Sequence, residues 1–361
     1  MADSSIPCLS YNDFGTFLKE RIGQRRFPFT GSIEITPHCN LKCVHCYVSH
    51  CKQEANILSY AEVCRLLDEV ANEGCLWILF TGGEPLVRPD FMDIYTYAKK
   101  KGIFVSLFTN GTLITPAIAD YLYQWKPRAV EITLYGATKQ TYERITGVAG
   151  SYERCLQGIE LLAERRIPLR LKTMVLTINK GEIKQMQDYA QKLGIPFRYD
   201  PSIMPRLDKG LEPCQFRLTP EEIVEIELAD PERIKDWREF CQRKLGAIDT
   251  DTLFVCNAGI HSFAIDSYGR LSLCISARSQ TYDLRQGSFA EAWRDFLPKV
   301  RDQKAAADAK CSGCELVSMC GRCAAWAELE TGDPQSEVEW LCRLAHLRLS
   351  SFGISVPAQI K

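Results

Sequence analysis

Short segments rich in Ile, Val, Leu, Phe and Thr recur through the first two hundred positions, at 32–36, 76–81, 104–109, 129–134, 169–176 and 196–203. They run apolar almost without interruption, as strands covered on both faces do. Between them lie helical patterns over 59–73, 91–101, 116–124, 151–165 and 181–193. Helix starts are marked by Ser59 with Glu62 three residues on, and by Thr115 ahead of Pro116. Strands that alternate with helices call for a parallel sheet with right-handed crossovers. The predicted fold is therefore α/β, an open, partial (β/α)6 TIM-like barrel over 31–203 after an N-terminal extension, 1–30. Residues 205–246 are charged and punctuated by Pro213, Pro220 and Pro231. Helical stretches at 219–228 and 231–244 make 204–255 a helical connector to a C-terminal domain, 256–361.

Composition narrows the class. With 361 residues, 46% hydrophobic and 25% charged, the chain is long enough for two domains with cores of their own. A net charge of −1 argues against nucleic acid or an acidic membrane held by a bulk basic field. No uninterrupted apolar stretch is long enough to span a bilayer. The start, Met1-Ala2-Asp3-Ser4-Ser5-Ile6-Pro7, lacks the charged and apolar regions of a signal peptide. Seventeen cysteines in such a chain suggest metal ligation in a reducing, cytoplasmic setting rather than disulfides.

Their spacing carries the chemistry. Cys39, Cys43 and Cys46 form a CxxxCxxC run directly after the first strand. Three thiolates so close can hold three corners of a cubane iron–sulfur cluster and leave one iron open to a small molecule. A zinc knuckle completed by His38, His45 or His50 is the other reading of this run alone. A second motif, Thr81-Gly82-Gly83-Glu84-Pro85, closes the second strand. Glycines there let a ligand approach the backbone, at the strand edge where parallel α/β folds bind ligands.

Together the two motifs resemble those of the radical S-adenosylmethionine (SAM) enzymes, over roughly 31–203. The resemblance implies a [4Fe–4S] cluster on Cys39, Cys43 and Cys46 whose open iron chelates SAM. It implies that Gly82, Gly83 and Glu84 line the SAM site and that Tyr47 packs on the adenine. Asn110, after the third strand, matches a position that often contacts SAM. Thr133, at the end of the fourth, keeps a hydroxyl expected near the ribose or carboxylate. Tyr135 stands where peptide-modifying relatives usually carry Asp. Arg144 and Arg154 are candidates for the methionyl carboxylate, with a solvated helix face as the plainer reading of each. Asn179 reads as a turn residue.

The C-terminal region carries a second set: Cys256, Cys274, Cys311, Cys314, Cys320, Cys323 and Cys342. Cys274 closes an alternating run from His261 with a turn at Ser267-Tyr268-Gly269, a hairpin signal. Seven cysteines are too many for one zinc site and fit two auxiliary clusters or two zinc ribbons. The pattern resembles the SPASM domain of radical SAM peptide maturases. That resemblance implies one [4Fe–4S] cluster on Cys311, Cys314, Cys320 and Cys342, and another on Cys256, Cys274 and Cys323. The latter's fourth position is open or capped by His261. Cys320 and Cys323 stand one residue closer than in the common form. Cys8, Cys51, Cys64, Cys75, Cys155, Cys214 and Cys241 follow no pattern, and a free buried thiol is their default.

The implied chemistry is reductive cleavage of SAM to a 5′-deoxyadenosyl radical that takes hydrogen from an unactivated carbon, with auxiliary clusters accepting an electron. The expected substrate is a ribosomally made precursor peptide, to be crosslinked, epimerised, or cut to leave a β-amino acid unit. About thirty residues before the first strand are too few for a recognition domain, so a separate small recognition protein is the expected partner. A reductant such as flavodoxin or ferredoxin is the other. The other enzymatic readings are maturation of a sulfatase or dehydrogenase subunit, or action on a haem precursor. A cluster-bearing electron carrier is a reading from a different class, but it has no use for Gly82-Gly83-Glu84 at a strand end.

Overall fold

The computed structural model describes residues 21, 25–48, 56–244 and 251–353. Predicted strands and helices form close to where the apolar pattern sets them. β1 (Thr30–Thr36), β2 (Trp77–Gly82), β3 (Phe104–Thr109), β4 (Ala129–Thr133), β5 (Leu169–Met174) and β6 (Phe197–Asp200) lie side by side in chain order. Each pairs in parallel with the next. Helices α1 (Tyr60–Asn72), α2 (Phe91–Lys100), α3 (Pro116–Gln124), α5 (Ser151–Glu164) and α6 (Ile183–Lys192) provide the crossovers. Ser59 caps α1 in the predicted box with Glu62, and Thr115 caps α3 ahead of Pro116.

The core lies between sheet and helices. Ile33, Ile78, Phe80, Val105, Leu107, Val130 and Ile132 of the strands meet Leu66, Leu67, Phe91, Ile94, Leu122 and Ile159 of the helices, all buried. The alternate strand positions face the other way, into the lumen of an open barrel. That is why they carry Glu34, Glu131, Lys172 and Arg198 rather than aliphatic residues. One helix escaped the sequence pattern. α4 (Lys139–Thr146), capped by Thr138 and ended by Gly147 at φ +68°, makes the β4 crossover a double helix with α5.

The C-terminal hairpin is not a detached unit. β7 (Ser262–Ile265) pairs in parallel with β1, and β8 (Arg270–Ser272) and β9 (Tyr282–Asp283) extend the same sheet to nine strands. Gly31 makes this docking possible: a Cβ there would sit 2.3 Å from the Phe263 ring. The connector forms α7 (Pro220–Leu228), with a capping box on Thr219, and α8 (Pro231–Lys244). After β9 come α9 (Phe289–Glu291), a π turn (Ala292–Phe296), α10 (Leu297–Arg301), α11 (Val317–Cys320), α12 (Ala324–Thr331) and α13 (Glu339–Ser351). α7 and α13 are joined by Arg348, which reaches Glu227 through two bonds of 2.7 and 2.8 Å, both groups buried. Among the described residues no helix is long and apolar enough to cross a membrane.

Candidate active site at the barrel mouth

The CxxxCxxC run forms the loop after β1, and the ends of neighbouring elements hold it by its backbone. The Lys42 and Val44 amides donate to Thr146 and Ile145 carbonyls at the end of α4, at 2.8 and 3.0 Å. On the other side, the Gly83 and Glu84 amides donate to Thr36 and His38 carbonyls, both at 2.8 Å. The two glycines have a reason within the chain itself. A Cβ on Gly82 would lie 2.3 Å from the Thr36 carbonyl oxygen, and one on Gly83 2.1 Å from that of His38. The close approach of the cysteine loop by itself demands bare backbone at these two positions.

Glu84 has a comparable role. Its fully buried carboxylate accepts from the Thr109 hydroxyl at 2.7 Å and from the Asn110 and Leu86 amides at 2.6 and 3.1 Å. It thereby ties the end of β2 to the end of β3. Burial pushes this carboxyl up to about 7, and the three donors pull it back. Asn110 completes the link: its side-chain amide donates to Asn40 at 2.8 Å and points at the Cys39 sulfur 3.8 Å away. The Leu41 amide approaches the same sulfur at 3.4 Å.

The three thiols lie within electrostatic reach of one another. Burial raises all three, Cys39 to about 11, and the charge of neighbouring cysteines adds to the rise at Cys39 and Cys43. A group of thiolates in this setting needs a cation to stabilise it, and donors aimed at Cys39 suit a ligated thiolate. The residues thus fit an iron–sulfur cluster with SAM beside it. Among the described residues no three cysteine, histidine or carboxylate side chains converge closely enough for a lone metal ion; the irons of a cubane hold their thiolates further apart. Of the histidines considered for zinc, His45 is buried edge-on to Tyr135 at 5.1 Å and held neutral, its pKa lowered to about 4 by burial. His50 lies outside the described residues.

Tyr135, where the sequence departs from its resemblance, lies against the Cys43 thiol with its hydroxyl fully buried. A neutral phenol therefore occupies the place where a carboxylate was expected. The Tyr47 hydroxyl is buried too, near Glu34, Cys46 and Arg278. Arg278, from the segment after β8, pairs with Glu34 inside the barrel. Deeper in the lumen Lys172 sits 3.0 Å over the Phe108 ring, with Glu131 3.6 Å away and Arg198 bonding Glu131 at 2.8 Å. Thr133 shares this wall, opposite Lys172 on the next strand. The sequence signal for Lys172 was a cation at an inward position of an otherwise apolar strand. Arg144 and Arg154 do not enter the lumen; both are exposed, on α4 and α5. Asn179 is buried as a turn clamp, accepting from the Leu176 amide at 2.7 Å and donating to the Tyr135 carbonyl at 2.9 Å.

The C-terminal cysteines gather as two sets. Cys311, Cys314, Cys320 and Cys342 line one cavity of about 40 Å³, together with Arg322 and, at its border with the other set, Cys323. Burial, and after it the charges of Cys274 and Cys256, raise Cys323 to about 11, and Cys256 likewise adds to the rise at Cys274. Arg322 tests the first set for a bound group. Arg322 is 7% exposed, and among the described residues its guanidinium faces no acceptor but the Cys311 sulfur. An anion among those four sulfurs would answer it. Cys64, Cys75, Cys155 and Cys241 are buried free thiols; half-buried Cys214 receives a bond from Arg217 at 3.1 Å, and Cys8 and Cys51 fall outside the described residues.

Residues 33–190 match the family model of the Radical SAM superfamily. The chain carries a radical SAM domain. Members of that superfamily bind SAM and a [4Fe–4S] cluster, and this radical SAM domain presents its cysteine loop at the barrel mouth accordingly. Over 333 residues the chain is 29% identical to the AdoMet-dependent heme synthase of Methanosarcina barkeri, covering 83% of this chain and 92% of the relative. It is 28% identical over 316 residues to the mycofactocin maturase MftC of Mycobacterium ulcerans, covering 83% and 84%. Around its radical SAM domain the fold follows that of Streptococcus suis SuiB bound to its precursor peptide SuiA. The TM-score is 0.68 at 17% identity, over 95% of this chain and 84% of that one.

Proposed function

We propose that this radical SAM enzyme modifies a ribosomally made precursor peptide, with auxiliary clusters taking up an electron from the substrate. When bound, SAM at the barrel-mouth cluster would supply a 5′-deoxyadenosyl radical able to abstract hydrogen from an unactivated carbon. In this reading Cys39, Cys43 and Cys46 hold that cluster, while Tyr47, Gly82, Gly83, Asn110 and Thr133 frame SAM. Glu84 acts on the site through Asn110, and Arg144 or Arg154 would have to swing in from the surface to meet the methionyl carboxylate. One observation carries the reading. The segment four residues past Cys274 enters the barrel, where Arg278 pairs with Glu34 beside Tyr47. The two cysteine systems thus look onto one lumen. A substrate held there would have an electron acceptor on one side and the SAM site on the other, as a net oxidation needs.

The peptide is favoured by the MftC likeness along most of the chain. A separate small recognition protein and a flavodoxin or ferredoxin complete the proposal. The second reading, action on a haem precursor, is favoured by the likeness to the Methanosarcina barkeri heme synthase. Anaerobic co-expression with a short precursor peptide and its small recognition protein, followed by mass spectrometry, separates them. Loss of two hydrogens means a crosslink, a larger loss excision, and deuterium uptake without other change epimerisation. An unaltered peptide, together with SAM-dependent change of iron-coproporphyrin, would overturn the peptide in favour of the haem precursor.

A further inference from the structure

Cys320-Gly321-Arg322-Cys323 joins the two C-terminal cysteine sets. α11 ends at Cys320, Gly321 turns the chain at φ +61°, and Cys323 caps α12 with its sulfur 3.4 Å from the Trp326 amide. Arg322 is left between the sets, buried against the cavity of Cys311, Cys314, Cys320 and Cys342. The carboxylate that lines this cavity, Glu337, is paired with Lys310 instead. A buried guanidinium that faces no carboxylate is an uncompensated ion and is strongly destabilising unless an anion answers it. It lies instead beside the Cys311 sulfur, whose thiolate form it favours.

We infer that Arg322 is the counter-charge of the cluster on Cys311, Cys314, Cys320 and Cys342, and that it raises that cluster's reduction potential. The inference rests on the proposed reading of these four cysteines as cluster ligands. Four thiolates and four sulfides around iron make an anion, and reduction adds one more negative charge. A buried cation therefore stabilises the reduced state more than the oxidised one. Placed toward this cluster, Arg322 makes it more readily reduced than it would be without that charge, and so a better resting place for an electron leaving the lumen. Arg322 is a positioning residue in this scheme and touches no substrate.

The test uses the full chain with Cys39, Cys43 and Cys46 replaced by Ala, so that only the C-terminal clusters report, reconstituted anaerobically with iron and sulfide. Iron content and an EPR-monitored redox titration are compared for the parent, Arg322→Gln and Arg322→Lys. The expected result is equal iron in all three, one midpoint moved to more negative potential in Arg322→Gln, and recovery of that midpoint in Arg322→Lys. Iron lost from Arg322→Gln but kept by Arg322→Lys also supports the inference, because the two differ in charge. An unmoved midpoint at full iron content overturns it. So does equal iron loss from both variants, which would make Arg322 a folding residue. Failure of the underlying reading looks different: Cys342→Ala would then hold as much iron as its parent.

Discussion

Gly83 packs against His38 so closely that a Cβ would lie 2.1 Å from the His38 carbonyl oxygen and 2.8 Å from that of Pro37. The end of β2 and the cysteine loop are thus fitted backbone to backbone, and the position of Cys39 depends on a residue more than forty positions away.

Gly83→Ala is expected to destabilise the chain by about 3 kcal/mol or more, because neither carbonyl can yield without moving the loop. Gly181→Ala, where a Cβ meets nothing within 4 Å, is the control, within about 0.5 kcal/mol of wild type. Denaturant melts and iron content check both. Equal stability of the two variants would show that the loop adapts freely.

Glu84 supplies a pH dependence with a defined sign. Its carboxyl is raised by burial to about 7 from an ordinary 4.5, so between those values the folded chain keeps a proton that the unfolded chain has released. Its contribution is therefore complete below about 4.5 and is lost as pH rises through 7. Glu84→Gln should flatten melting temperature over that window. It should also cost about 1–3 kcal/mol at pH 5, because both oxygens of the protonated carboxyl can still accept from the surrounding donors, whereas the Gln NH2 group cannot.

Lys172 runs the other way. Burial lowers its ammonium to about 8 from an ordinary 10.5, against the pull of Glu131. Between these values the unfolded chain holds the extra proton, so stability rises with pH. The unfolding free energy of wild type relative to Lys172→Met should accordingly climb between pH 8 and 10, by on the order of 3 kcal/mol across the full window. A constant difference would mean that the amine is solvated rather than held over Phe108.

Cys256→Ala and Cys342→Ala probe the two C-terminal sets separately. Under the proposed assignment each lowers bound iron by up to about four per chain, and the double variant by up to about eight. Iron content, read with Mössbauer or EPR spectra, checks this. Loss of the same iron from both single variants would mean one shared cluster.

Much of this architecture was legible in the chain. Strand positions followed from their apolar outer positions, because a parallel strand under helices must be covered on that face; the charged residues Glu34, Glu131, Lys172 and Arg198 interrupt the runs where the strands face the lumen. α1 and α3 were fixed by capping side chains that act within one turn. α4 was missed because its eight residues, Lys139–Thr146, are mostly polar; what holds it is tertiary, with Tyr142 and Ile145 buried under the cysteine loop. The β1–β7 pairing was missed for a similar reason. Gly31 and Phe263 lie more than two hundred positions apart, and only in the folded sheet does the missing Cβ of one become room for the ring of the other.

By itself, the sequence determined which atoms are available: thiols at cluster spacing, glycines at a strand end, and a strand–helix alternation that admits few topologies. Local spacing is encoded within one or two turns of chain, so it survives in the sequence. Tertiary structure alone decided what those atoms face. It turned Glu84 from the lumen into a clamp on Asn110, left Arg144 and Arg154 in solvent, set Tyr135 against Cys43, and buried Arg322 among four sulfurs. Such relations depend on distances between elements far apart in sequence, and these become fixed only when the sheet and its helices close around a common core.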